Sequence, residues 1–327
     1  MSVTTVGLVL GYSCTAKCRH CLLGDALQDR SRMSLEDACR YIDNISELET
    51  VKELAFSGGE AFLFRDVMTQ AMSYAFGRYH LPSLVNSNSY WATSRQKAQD
   101  VLGNLYDKGL RCLQTSVDDF HEEYIPVDRV ANAVHAAMDL GIKCKVIIVA
   151  TPKGKSRDYY RNALQVGSED QVEIMEVDLT PVGYASSLTG SDYVVRCKIP
   201  PGSCSILETI PIFPDGSVQL CCGPPVPFSK ELNAGNARYE RLADMLARAE
   251  WNPVFNALSL GRGPAILAKE LELLGMDREL RDGYASPCEA CQHILSDLHL
   301  GPTLESSLGN RQAELYFSRV MADVSGT

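Results

Sequence analysis

Two hydrophobic periods alternate along the first half of the chain. Short apolar runs, at Thr4 to Leu10, Lys52 to Phe56, Ser83 to Asn88, Cys112 to Val117, Lys143 to Ala150 and Val172 to Leu179, have the length and bounding residues of strands. Between them apolar positions return every three or four residues, as in Leu35, Ala38, Ile42, Ile45 and again in Val67, Met68, Ala71, Met72, Ala75. That spacing predicts helices with one buried face. Ser34 with Asp37 three residues on reads as a helix start, and Gly141 as a helix stop. Strand and helix in strict alternation predict a parallel α/β sheet. No internal repeat beyond this rhythm and no low-complexity tract is present.

The pattern changes near residue 190. Cys204 to Ile212 and Ser217 to Cys221 flank Pro214-Asp215-Gly216, which reads as a hairpin. Helical spacing dominates from Glu240 to Leu273, with Leu242, Met245, Leu246 and Ala249 as one stripe, and a last helix is expected beyond Leu308. The division is therefore 1–190 as the α/β domain, 191–300 as a second, cysteine-bearing domain, and 301–327 as a helix returning onto the first.

Composition narrows the function classes. The net charge of −10 argues against a general nucleic-acid binder, which needs a basic surface. The opening residues lack a basic n-region and a long apolar run, and no segment approaches the length that spans a bilayer. Twelve cysteines without an export signal suit metal or redox chemistry in a reducing compartment, so a cytoplasmic location is expected.

The chemistry concentrates at strand ends. Cys14, Cys18 and Cys21 form a C-x3-C-x2-C loop after the first strand, and three soft thiolates suit an iron–sulfur cluster. Zinc would need a fourth ligand, which His20 would have to supply. Ser57-Gly58-Gly59-Glu60 follows the second strand. Asn86-Ser87-Asn88 ends the third, and Ser116 ends the fourth, followed by Asp118, Asp119 and His121. These last three suit substrate binding or acid–base work, or no more than a solvated loop.

The cysteine spacing and the Gly-Gly-Glu turn, in this order, resemble the radical S-adenosylmethionine (SAM) superfamily. The resemblance implies a partial (β/α)6 barrel and a [4Fe–4S] cluster on Cys14, Cys18 and Cys21, with one iron left open to chelate SAM. Reductive cleavage of SAM would yield a 5′-deoxyadenosyl radical that abstracts a hydrogen atom. It implies that His20, Ser57, Gly58, Gly59, Glu60, Ser87, Asn88 and Ser116 surround SAM, Glu60 reaching its ammonium group. It also implies an external one-electron donor of the flavodoxin or ferredoxin type.

The tail resembles the twitch form of the SPASM extension, which implies one auxiliary [4Fe–4S] cluster on Cys204, Cys221, Cys288 and Cys291. A zinc site on the same four residues is the alternative. Cys222 has three readings: replacement ligand for Cys221, buried bystander, or hydrogen-atom donor. The last is the role such a thiol plays in radical SAM peptide epimerases. The expected function is therefore modification of a ribosomally made peptide, by Cα epimerisation or by thioether or carbon–carbon crosslinking. A separate peptide-recognition protein is one possible partner. The alternatives are a small-molecule dehydrogenase that oxidises an alcohol in natural-product biosynthesis, with Asp118 a candidate base, and a non-enzymatic metal-binding protein.

Overall fold

The computed structural model describes residues 3–167, 172–195, 198–199, 208–223, 230–260 and 263–325. Six parallel strands form its centre: β1 (Thr5–Val9), β2 (Glu53–Ser57), β3 (Ser83–Ser87), β4 (Leu110–Ser116), β5 (Lys143–Ala150) and β6 (Val172–Asp178). Each pairs in parallel with the next, so the order β1 to β6 never reverses. That order describes a singly wound sheet, unlike the doubly wound kind, whose order reverses at a switch point. Between strands run α1 (Leu35–Ser46), α2 (Arg65–Tyr79), α3 (Arg95–Tyr106), the short α4 (Asp119–Glu122), α5 (Val127–Asp139) and α6 (Arg157–Ala163).

Local chemistry sets these boundaries. Ser34 Oγ accepts from the Asp37 amide at 3.0 Å and starts α1, as its spacing predicts. Ser94 and Ser156 do the same for α3 and α6. Gly141 follows α5 at a φ of +68°, a value that favours glycine. Alternation along the strands then sorts the two faces of the sheet. Val6, Leu8, Leu54, Phe56, Val85, Leu113, Val146 and Ile148 are buried in one core with the helices. Burying one such side chain stabilises the fold by about 1.5–3 kcal/mol. The opposite face carries Gly7, Ala55, Asn86, Gln114, Ser116 and Ile147, and it is this face that lines the cavities described below.

The tail does not build a sheet of its own. β7 (Thr209–Ile212) pairs in parallel with β1, the free edge of the sheet, and β8 (Ser217–Gln219) and β9 (Asn233–Asn236) add to it antiparallel. The hairpin turns at Pro214-Asp215-Gly216 as expected, with the Gly216 amide donating to the Phe213 carbonyl. Ile210 and Ile212 bury into the same core as β1, which removes the expected separation between 1–190 and 191–300. Helices α7 (Leu242–Ala249), α8 (Pro253–Leu260), α9 (Ala265–Leu273) and α10 (Pro287–Ser296) follow.

The last helix, α11 (Leu300–Ser325), covers nearly the expected 301–327 and packs on α8, α9 and α10. Proline in a first turn gives up only an N–H that has no helical partner there, so Pro302 is tolerated. Leu300 and Leu304 are buried against these helices, and Ser307 and Arg311 both donate to Glu270 of α9, at 2.6 and 2.8 Å.

Candidate active site

The loop after β1 and the turn after β2 are laced together. The Gly59 amide donates to the Gly11 carbonyl at 3.0 Å, and the Glu60 amide to that of Ser13 at 2.9 Å. A Cβ on Gly59 would overlap the carbonyl oxygens of Tyr12 and Ser13. One on Gly58, whose φ is +149°, would overlap that of Gly11. The two glycines thus let the cysteine loop close on the sheet, and both also border the cavity in front of the thiols.

Glu60 is held by its own set of hydrogen bonds. Its side chain is 1% exposed and is absent from the residues bordering that cavity. Oε1 accepts from the Phe62 amide (3.1 Å) and the Ser87 hydroxyl (2.8 Å), and Oε2 from the Asn88 amide (2.7 Å). Burial raises its pKa against these hydrogen bonds. Glu60 is a clamp joining the glycine turn to the end of β3, and only the backbone of that turn meets the cavity. Ser87 and Asn88 do border it, yet both are committed. Ser87 Oγ also accepts from Trp91 Nε1 (2.9 Å), and Asn88 Nδ2 donates to Thr15 Oγ1 (3.0 Å) and lies 3.7 Å from Cys14 Sγ.

The cavity has a volume of about 470 Å³. Cys14, Cys18 and Cys21 share one wall, with Ser116, Gln114, His20, His121, Ile147 and Val149 around it. Burial raises the pKa of all three thiols. Cys18, further raised by Cys21 and Cys14, reaches about 12. Three converging thiols that repel one another as thiolates form the donor set of a cationic cluster. Two buried polar atoms of residues bordering the same cavity, His20 Nδ1 and Asn86 Oδ1, have no hydrogen-bond partner among the described residues. Thiols and unpaired atoms together fit a [4Fe–4S] cluster with a polar ligand beside it.

Asp118 is likewise held by local hydrogen bonds. It is 1% exposed, caps α4 through Oδ1 on the Phe120 and His121 amides (both 3.0 Å), and holds His121 Nδ1 through Oδ2 at 2.8 Å. Burial alone would raise its pKa. The His121 hydrogen bond and charge, with His20, outweigh burial and hold it below the ordinary value. Asp118 is absent from the cavity wall and positions His121, which is on it. His20 stacks on Phe120, with ring centroids 4.7 Å apart, and burial pushes its pKa down to about 4, so the imidazole is neutral.

Of the expected auxiliary ligands, Cys204 lies outside the described residues. Cys288 and Cys291 sit one turn apart near the start of α10, on one face. Cys291 and Cys221 are buried, whereas Cys288 reaches the wall of the first cavity. Cys221 and Cys222 lie beyond the end of β8, so strand alternation does not set their directions, yet they part: Cys222 is exposed. It borders a second cavity of about 310 Å³, walled by Gly7, Val9, Ala55, Ser57, Thr209, Pro211 and Phe213. The two cavities share Leu22, Leu23, Gly58 and Asn86 as lining residues and are therefore neighbours. Ser57, expected beside SAM, borders only the second.

Sequence reasoning passed over Gln114 as a site residue and gave Asn86 no role of its own, although alternation along β3 and β4 was the signal for both. Gln114 shares its strand face with Ser116. The place of Cys288 on the first cavity had no sequence signal.

Comparison with known proteins agrees with this geometry. Residues 8–160 match the family model described as Radical SAM superfamily, a segment that holds the cysteine loop, the glycine turn and strands β2 to β5. The likeness to that superfamily covers this segment, just under half of the chain. Among solved structures, anSMEcpe with bound AdoMet and Cp18Cys peptide superposes with a TM-score of 0.55 at 13% identity, covering 94% of this chain and 99% of that one. BtrN in complex with AdoMet and 2-DOIA gives 0.50 at 11%, covering 82% and 89%. At these identities the likeness is one of fold. YydG of Bacillus subtilis (strain 168), named for peptide biosynthesis, is 24% identical over 128 residues. That stretch is 39% of this chain and 40% of YydG, so the match spans about two-fifths of the curated relative's length.

Proposed function

We propose that this chain is a radical SAM enzyme that modifies a peptide, by epimerisation at a Cα, with Cys222 as the hydrogen-atom donor. The singly wound sheet is read as the partial (β/α)6 barrel. Cys14, Cys18 and Cys21 would hold the SAM-binding [4Fe–4S] cluster, and Cys204, Cys221, Cys288 and Cys291 one auxiliary [4Fe–4S] cluster. When bound, cluster and SAM supply a 5′-deoxyadenosyl radical that removes the substrate hydrogen.

The observation that carries the reading is the setting of Cys222. Cys222 borders a cavity that shares four lining residues with the one in front of the cysteine loop, while its neighbour Cys221 is buried in the core. A substrate carbon lying across the two cavities would have one face toward each. Donation breaks the S–H bond of Cys222 and forms a C–H bond. The thiyl left behind needs one electron, from an external one-electron donor, and one proton from solvent. The chain's other residues place and exclude. Glu60, Ser87 and Asn88 fix the cysteine loop, Asp118 fixes His121, and the wall residues keep water from the radical.

Turnover in D2O with SAM, a one-electron reductant and a precursor peptide tests this. Epimerisation yields a product heavier by one deuterium, and Cys222→Ala ends that incorporation while 5′-deoxyadenosine still forms. A product lighter by two hydrogens would favour the dehydrogenase reading and overturn this one.

A further inference from the structure

The second cavity has a floor of small residues, and the strand register explains why. Pro211, Gly7 and Ala55 are direct partners across β7, β1 and β2, and the row continues into Leu84 and Cys112 on β3 and β4. Side chains are thus short at one end of the row and longer at the other, where Ala55, Leu84 and Cys112 pack into a small apolar cluster. The hollow lies over the short end. Its described wall is apolar apart from Ser57, Asn86, Thr209 and Cys222, and among those residues none is charged.

Resting on the peptide reading above, we propose that this hollow is the specificity pocket for the side chain of the residue being modified. It accepts an uncharged aliphatic side chain, and Gly7 sets its depth. A lysine, arginine or carboxylate side chain entering here would lose its water without gaining a counter-charge, a cost that excludes it. An aliphatic side chain loses nothing by the same transfer and gains the burial of its own surface. At about 310 Å³ the space has room for one aliphatic side chain of any size. Cys222 is one of the residues on that wall.

Gly7 makes the proposal testable, because its backbone does not require glycine. A Cβ there would meet the Ile210 carbonyl oxygen and Pro211 Cα at 3.8 Å and the Ala55 carbonyl oxygen at 3.9 Å, which are ordinary contacts. Gly7→Ala therefore fits, and Gly7→Val fills the pocket further with a side chain that suits a strand. The probes are three methanethiosulfonates of similar size: neutral propyl, anionic sulfonatoethyl and cationic trimethylammonioethyl. Each is added to the anaerobically reconstituted protein. Modification of Cys222 is followed by peptide mass mapping and normalised to N-acetylcysteine.

The expected result is that the neutral reagent modifies Cys222 faster than either charged one by roughly tenfold or more. Its rate should then fall from wild type through Gly7→Ala to Gly7→Val. Equal normalised rates for all three reagents, or a neutral rate indifferent to both substitutions, would overturn the pocket assignment and leave the donor role standing. Failure of all three to reach Cys222 would overturn the donor role, and the pocket assignment with it.

Discussion

Asp118 and Glu60 show what a residue type alone conveys and what it leaves open. The sequence places both at strand ends, where site residues belong, and the cysteine spacing marks three residues that the fold brings to one cavity. The direction of a buried carboxylate is another matter, since it follows from donors far away in sequence. Glu60 is turned by Ser87 and Asn88, and Asp118 by the helix start it caps together with His121. Asp118→Asn should lower stability near neutral pH by about 1 kcal/mol, as a weakened cap and a lost charged hydrogen bond do. The folded-state pKa of Asp118 lies below its ordinary 3.8. Its contribution is therefore complete above that value and is lost as pH falls through the lower folded value. Thermal midpoints of both proteins between about pH 7 and pH 3 should converge at the acid end, and a constant gap would contradict this.

At the scale of elements, the cysteine loop is held from two sides, and only one was legible. The Gly-Gly turn announces itself by motif, whereas the other side comes from the segment after β6. There the Tyr184 amide donates to the Cys21 carbonyl at 3.0 Å, and Gly183, at a φ of +60°, lies against the Cys21 and Leu22 carbonyls. Ala16, Cys18, Phe120, Leu179 and Ala185 form a small buried cluster beneath it. Nothing in a Gly-Tyr-Ala-Ser-Ser stretch signals that contact before the chain is folded. Gly183→Val should lift this segment and speed iron loss to a chelator several-fold, with far-UV circular dichroism unchanged. An unaltered release rate would remove the segment from the account. Strands and helices up to β6 were readable because each has its own period. The last helix was readable as an element too, at 301–327 against an observed Leu300–Ser325.

Across the whole molecule, β7 carries the tail onto the free edge of β1, directly beside the cysteine loop. Sequence gave the hairpin but not its partner, since pairing of β7 with β1 joins segments about 200 residues apart. Sheet and tail share one core, so they should unfold together. Ile212→Ala, at a fully buried position on β7, should cost about 2–5 kcal/mol and shift one cooperative denaturation curve without splitting it. A separate early transition would show the tail to be independent. This closeness is also what brings Cys222 to the cavity beside the cluster loop, the centre of the functional proposal. Iron content and reduced-state EPR of anaerobically reconstituted wild type, Cys221→Ala and Cys222→Ala test it most directly. The account predicts about eight irons in the wild type and in Cys222→Ala, and about four in Cys221→Ala. If Cys222→Ala is instead the variant that drops to about four, Cys222 is a cluster ligand and cannot be the hydrogen-atom donor.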